Sequence, residues 1–176
     1  PYDNAGAKLL ETYAGPRGLH SMINFPLYGT LGDVFARGHA TAELAWRIDG
    51  MMRTHRDPWR MPTFIDNHDV DRFLAGSDVA GQRQALFAML SLPGIPVIYY
   101  GTEQAMHERR PAMFANGQGA GGRDHWDAAS QGYRWLREAI AIRRTHPALR
   151  RAHPRLLASN AAGPGGIAWR MESDEE

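Results

Sequence analysis

The chain has 176 residues, 43 % hydrophobic and 22 % charged, a composition that excludes a largely disordered polypeptide. Its 20 Lys+Arg, all arginine except Lys8, offset 19 Asp+Glu to a net charge of +1, so no long-range field draws nucleic acid or an anionic membrane. Cysteine is absent, which excludes disulfides, thiolate nucleophiles and Cys-bound zinc, and no apolar run approaches the ~20 residues of a membrane helix.

In chain order, residues 1–18 are mixed. Pro1 to Asn4 lack the basic and apolar regions of a signal peptide, which leaves localisation undetermined. Ala7 to Glu11 reads as one helical turn, and Gly15-Pro16-Arg17-Gly18 as a tight turn. Leu19 to Phe25 is predicted to be a short buried strand stopped by Pro26, followed by a helix over Tyr28–Arg37 that ends at Gly38. Thr41 is a good N-cap for a second helix with Leu44, Ile48, Met51 and Met52 on one face. After a polar loop with Pro58, Met61 to Ile65 is a second apolar strand, and Val79 to Leu92 a helix capped by Ser77 or Asp78. Pro93-Gly94 breaks that helix, and Ile95 to Tyr100 forms a third apolar strand. Such fully apolar runs suit parallel strands covered on both faces. A long loop from Thr102 to about Ala129 carries the glycines 119, 121 and 122. Ser130 then caps a helix of roughly Gln131–Thr145. Two strand candidates, Arg155–Ala158 and Gly166–Met171, precede the acidic tail Glu172 to Glu176. This is an α/β chain built from successive βα units around a parallel sheet.

The chemistry concentrates in Phe64-Ile65-Asp66-Asn67-His68-Asp69. Polar side chains just past a parallel strand face the mouth where ligands bind in βα folds. A carboxylate beside an imidazole can stabilise a developing cation and hydrogen-bond hydroxyls, which suits glycosidic chemistry with its oxocarbenium-like transition state. The hexapeptide resembles the segment ending barrel strand seven in the α-amylase family. Leu92 to Glu103, with Pro93-Gly94-Ile95-Pro96-Val97-Ile98-Tyr99-Tyr100-Gly101-Thr102 between, resembles that family's strand-eight segment in the right order. Ile23 to Tyr28 with Asp33-Val34-Phe35 is similar to strand six and its helix, and His146 to Arg150 to the end of the last barrel helix. The resemblance spans about residues 20–170.

It implies a partial (β/α)8 barrel of the TIM type, with residues 1–150 as its C-terminal part, strands six to eight, and residues 151–176 as the start of a β-domain. It implies retaining hydrolysis or transfer at α-glucosidic bonds, an α-glucan or oligosaccharide as substrate, Asp69 as the carboxylate that holds substrate hydroxyls and stabilises the transition state, and His68 as a substrate-binding histidine. Asn67 orients the turn and is also a candidate sugar contact. Tyr99, Tyr100 and Gly101 are read as structural around the site, and Asp66 and Asp71 as solvated turn residues. No motif here requires a cofactor or metal, although the resemblance allows calcium in the family's full domain.

Retaining chemistry also needs a nucleophile and an acid/base ~5–5.5 Å apart. In the family these follow strands four and five, on motifs with no counterpart here, so the chain alone is expected to be inactive. Glu11 precedes a predicted strand and is a candidate acid, but only seven residues separate it from Leu19, too few for a parallel crossover of roughly a dozen or more. Glu103 is the next carboxylate to weigh. Three strands cannot close a barrel, so self-association or pairing with the missing N-terminal part is expected. The alternatives are a non-catalytic carbohydrate-binding or regulatory relative, in which Trp126 beside Asp124 and His125 would be a platform over the cleft, and a metal-dependent hydrolase using His68-Asp69. The second expects its His-Asp pair on a helix, not after a strand.

Overall fold

A computed structural model describes residues 5–173; Pro1 to Asn4 and the end of the acidic tail lie outside them. Helix α1 (Ala5–Tyr13) leads into α2 (Phe25–Phe35) and α3 (Thr41–Thr54). Strand β1 (Pro62–Thr63), α4 (Val79–Ser91) and β2 (Ile95–Pro96) follow. The long loop then gives way to α5 (Gln131–Thr145), the single turn α6 (Ala148–Arg151), and strands β3 (His153–Ala158) and β4 (Ala168–Glu172).

The predicted strand over Leu19–Phe25 is corrected. Asn24 is the N-cap of α2, its Oδ1 accepting from Leu27 N at 3.0 Å, so Phe25 is already helical and Pro26 occupies the first turn, where its missing N–H costs nothing. One ladder-like bond survives: Asn24 N donates to Pro62 O at 2.9 Å. On the other side of β1, Ile95 N donates to Met61 O at 2.8 Å and Val97 N to Thr63 O at 2.7 Å, a parallel pairing of Pro62 with Ile95 and Thr63 with Pro96. The two predicted strands shorten to two residues each, and Pro62 and Pro96 leave no N–H on the edges that face away from this pairing.

Thr41 is the first helical residue of α3 rather than its cap. Its hydroxyl donates to Gly166 O at 3.0 Å and accepts from Asn160 N at 2.7 Å, tying the helix start to the β3–β4 connection. Elsewhere the helix signals hold. Asp78 Oδ1 accepts from Gly81 N at 2.7 Å to cap α4, and Ser130 accepts from Tyr133 N at 3.2 Å to cap α5.

Helices α2 to α5 cover one face of the extended segments. Leu27, Leu31 and Val34 of α2 meet Leu44, Ile48 and Met51 of α3, Ala85, Leu86 and Met89 of α4, and Leu136 and Ala139 of α5 in one core with Ile65 and Phe73. The expectation of strands covered on both faces fails. Ile95 and Val97 of the β2 segment stay 51 % and 45 % exposed, since the described helices pack on the opposite side. Strands β3 and β4 pair antiparallel from His153–Glu172 to Ala158–Ala168, an irregularity after Leu156 shifting the register. The sheets are thus small and open.

Candidate functional site

The turn after β1 is held from within and from behind. Asn67 Oδ1 accepts from Asp69 N at 2.7 Å and Val70 N at 3.2 Å, an Asx turn that fixes the backbone so that His68 and Asp69 project together. Their side chains are 65 % and 64 % exposed, and His68 Nε2 lies 3.4 Å from Asp69 Oδ2. Asn67 thus commits its oxygen to the turn.

Behind it, Asp66 corrects the reading of a solvated residue: it is 1 % exposed. Thr102 Oγ1 donates to its Oδ1 at 2.8 Å and Phe73 N to its Oδ2 at 3.2 Å. Burial raises its pKa above the ordinary carboxylate value, and those two hydrogen bonds and the Arg72 cation only partly oppose this. Arg72 is itself buried. It donates from Nη1 to Thr102 Oγ1 at 3.3 Å and from Nε to Glu108 O at 3.0 Å, and its guanidinium lies 4.2 Å from the Tyr99 ring centroid and 5.2 Å from that of Tyr100. Its Nη2 has no partner. Tyr99 and Tyr100 share the cation between them. Gly101, at φ 84°, turns the chain so that Thr102 can reach Asp66; a Cβ there would meet Met106 Sδ at 2.3 Å.

In front, the start of the long loop clamps the turn. Arg110 donates from Nε and Nη2 to His68 O at 3.0 and 2.7 Å, and its Nη2 lies 3.9 Å from Asp69 Oδ1. Arg109 pairs with Asp71, and Tyr99 Oη donates to Arg109 O at 3.3 Å. Asp69, Asp71 and Arg109 line an open cleft of about 570 Å³ whose other wall is Tyr28, Gly29, Gly32 and Arg37 of and beyond α2. Tyr28 is held in that wall by stacking on Phe64 at 4.9 Å, and Phe64 meets Phe25 edge-on at 5.1 Å.

Glu11 does not join this site. Its carboxylate meets His55 Nδ1 at 3.1 Å and accepts from Arg56 N at 3.3 Å, beside a small pocket lined also by Arg60 and Met61, at the start of the β1 segment. Asp69 follows the end of that segment, and the four rises from Met61 to Ile65 alone span ~13 Å. Glu11 thus sits at the opposite end of the segment from the turn that carries Asp69.

Among the described residues, the one group whose ligand atoms lie within 4.8 Å of one another, as metal binding would need, is Asp33, His39 and Glu43, at the α2–α3 turn. Its Asp33 already accepts from Arg37, and His39 faces Glu43 at 3.2 Å, so these charges answer one another. His68 and Asp69 gather no third ligand.

The sequence matches the family model described as Alpha amylase, catalytic domain, over residues 4–152. The chain therefore belongs to the α-amylase catalytic-domain family. It is 31 % identical over 152 residues to a beta/alpha-amylase of Paenibacillus polymyxa, covering 79 % of this chain and 12 % of that protein. It is also 31 % identical over 141 residues to a cyclomaltodextrin glucanotransferase of Paenibacillus macerans, covering 78 % and 19 %. The solved structure of CldA, a cyclomaltodextrin glucanotransferase with a three-domain ABC distribution, superposes with TM-score 0.77 at 26 % identity, over 95 % of this chain and 33 % of that one. The chain thus spans less than a fifth of these two curated relatives' length and about a third of the solved chain.

Proposed function

We propose that this chain supplies one wall of an α-amylase-type active site acting on α-glucosidic bonds. In this reading residues 1–150 are strands six to eight of the (β/α)8 barrel, and residues 151–176 begin a β-domain. The observation that carries it is the placement of His68 and Asp69, side by side and solvent-facing, on a hydrogen-bonded turn just past a parallel strand. The glucan-acting names of the relatives supply the substrate class.

Asp69 accepts hydrogen bonds from sugar hydroxyls and, as an anion beside the ring, favours the positive charge that develops at the anomeric carbon. His68 donates to a neighbouring hydroxyl, its ring held near Asp69 by the Asx turn and the two bonds from Arg110 to its carbonyl. The chemistry runs on carboxylates, and the reading assigns no cofactor. Bond cleavage needs two further carboxylates. Asp66 is buried, Asp71 is paired with Arg109, and Glu11 sits at the far end of the segment, so the chain alone binds glucan without cutting it.

The test is an assay for reducing ends released from maltoheptaose by the pure chain, beside saturation-transfer NMR for binding. Binding without release is the expected result. Release that persists in Asp69→Asn, or no binding at all, contradicts the reading.

A further inference from the structure

The loop between Thr102 and Ala129 contains no helix or strand, yet it is folded on itself. Ala112 N donates to Gln118 O at 2.8 Å, Gly117 N to Phe114 O at 2.8 Å, His125 N to Met113 O at 2.9 Å, and Ala115 N to the Asp124 carboxylate at 2.7 Å. The His125 ring reaches Ala120 O at 3.1 Å, and Pro111, Met113 and Ala120 are buried. Glycine makes this folding possible. A Cβ on Gly117 would lie 2.2 Å from that of Ala112, and Gly119 sits at φ 75°. Loops that pack their own side chains in this way hold a shape.

That shape presents two large aromatic rings to solvent. Phe114 is 63 % and Trp126 56 % exposed, with ring centroids 5.7 Å apart and planes tilted by 54°. A single exposed aromatic needs no explanation, but a contacting pair on a loop that buries smaller residues does. Trp126 is the one exposed tryptophan of five. Along the chain, exposed Asn116 lies two residues from Phe114, and exposed Arg123, Asp124 and Asp127 lie within three residues of Trp126. An apolar protein interface would want a continuous patch there. A ligand with a flat C–H face and a rim of hydroxyls fits a tilted aromatic pair inside a polar border.

The loop is also anchored to the turn after β1, through Arg110 on His68 O and Arg109 on Asp71, while Gln104 Nε2 closes its far side on Asp127 O at 3.2 Å. We propose that Phe114 and Trp126 form a stacking subsite for an α-glucan chain, separate from the His68–Asp69 pair and held in register with it by the two arginines. The proposal rests on the α-glucan reading of that pair for its ligand class.

Maltoheptaose is the probe, with tryptophan emission and calorimetry as readouts on the intact chain. Saturating sugar should shift the emission of the wild type to the blue as Trp126 is covered. Trp126→Ala should abolish that shift and weaken binding about tenfold, the scale of losing one covered aromatic face. Trp126→Tyr, which keeps a ring and guards against a collapsed loop, should bind within about threefold of wild type. No emission change in the wild type, an Ala variant with wild-type affinity, or a Tyr variant as weak as the Ala variant would overturn the proposal. The two readings separate cleanly. If only the stacking subsite is real, Asp69→Asn keeps both affinity and blue shift; if only the turn is real, Asp69→Asn weakens binding and Trp126→Ala does not.

Discussion

Replacing Arg143 with Met tests how the frame beneath the site is held. The Arg143 side chain is buried and donates from Nη1 to Leu90 O at 2.7 Å, Leu92 O at 3.0 Å and Leu149 O at 2.7 Å, and from Nη2 to Gly94 O at 2.7 Å. The carbonyls of Leu90, Leu92 and Gly94 form the corner where α4 ends and β2 begins, and that of Leu149 lies in α6, so one guanidinium ties this corner to α6 and sets the approach of β2 to β1. The two Nη1 protons are shared among three carbonyls, so the set amounts to about three full charge-assisted bonds, at ~2 kcal/mol each ~6 kcal/mol gross. Against this stands the cost of burying a cation without a carboxylate, a few kcal/mol, which also lowers the pKa of Arg143 below its usual value, with Arg150 nearby adding to the effect. The net loss on Arg143→Met is therefore ~3 kcal/mol. With a urea m-value of ~2 kcal/mol/M for a chain of this size, the unfolding midpoint falls by ~1.5 M. Arg143→Lys keeps the charge and three donors but lacks the planar fork that reaches both Leu90 O and Gly94 O, and should fall between. Urea titrations followed by circular dichroism measure both. A midpoint within ~0.3 M of wild type for the Met variant would refute the claim that hydrogen bonding outweighs desolvation here.

Asp66 gives a pH signature. Burial raises its pKa above the ordinary 3.8, so the fold favours the neutral acid. Its contribution to stability is complete below that unfolded value and is lost as pH rises through the folded one. The stability of wild type relative to Asp66→Asn should therefore fall with rising pH across that window, and a difference independent of pH contradicts the assignment. Gly94 sits at φ 126°, and a Cβ there would lie 2.6 Å from Thr63 Cγ2 and 2.9 Å from Met61 O, both across the β1–β2 pairing. Gly94→Ala should cost ~2 kcal/mol or more in the same urea titration, whereas Gly38→Ala, with open space around it, should cost less despite its own positive φ.

The helices were legible because their signals are local. Asp78 and Ser130 cap where a side-chain oxygen three residues ahead of an N–H predicts, and the apolar faces of α3, α4 and α5 follow their period. The segment at Leu19–Phe25 misled because an apolar run before proline reads equally as strand or as the entry to a helix. Asn24 decided it by capping. The candidate turn was legible in its four polar residues after a strand, and the Asn67 side chain accepts a hydrogen bond within it. Its supports were not. Arg72 and Thr102 meet only because Gly101 turns the chain back, and nothing near Asp66 in sequence announces a buried carboxylate. The Arg109-Arg110 pair carried one usable signal, two adjacent cations in a loop following a strand whose neighbour ends in Asp66, Asp69 and Asp71.

The most direct test of the central claim is a maltoheptaose titration of the intact chain followed by the ring resonances of His68, in wild type and in Asp69→Asn. The account predicts saturable movement of those resonances in the wild type and a binding curve weakened about tenfold or more in the variant, as expected when a charged hydrogen-bond acceptor is lost. Resonances that stay still under saturating sugar, or that move equally in both proteins, would contradict it.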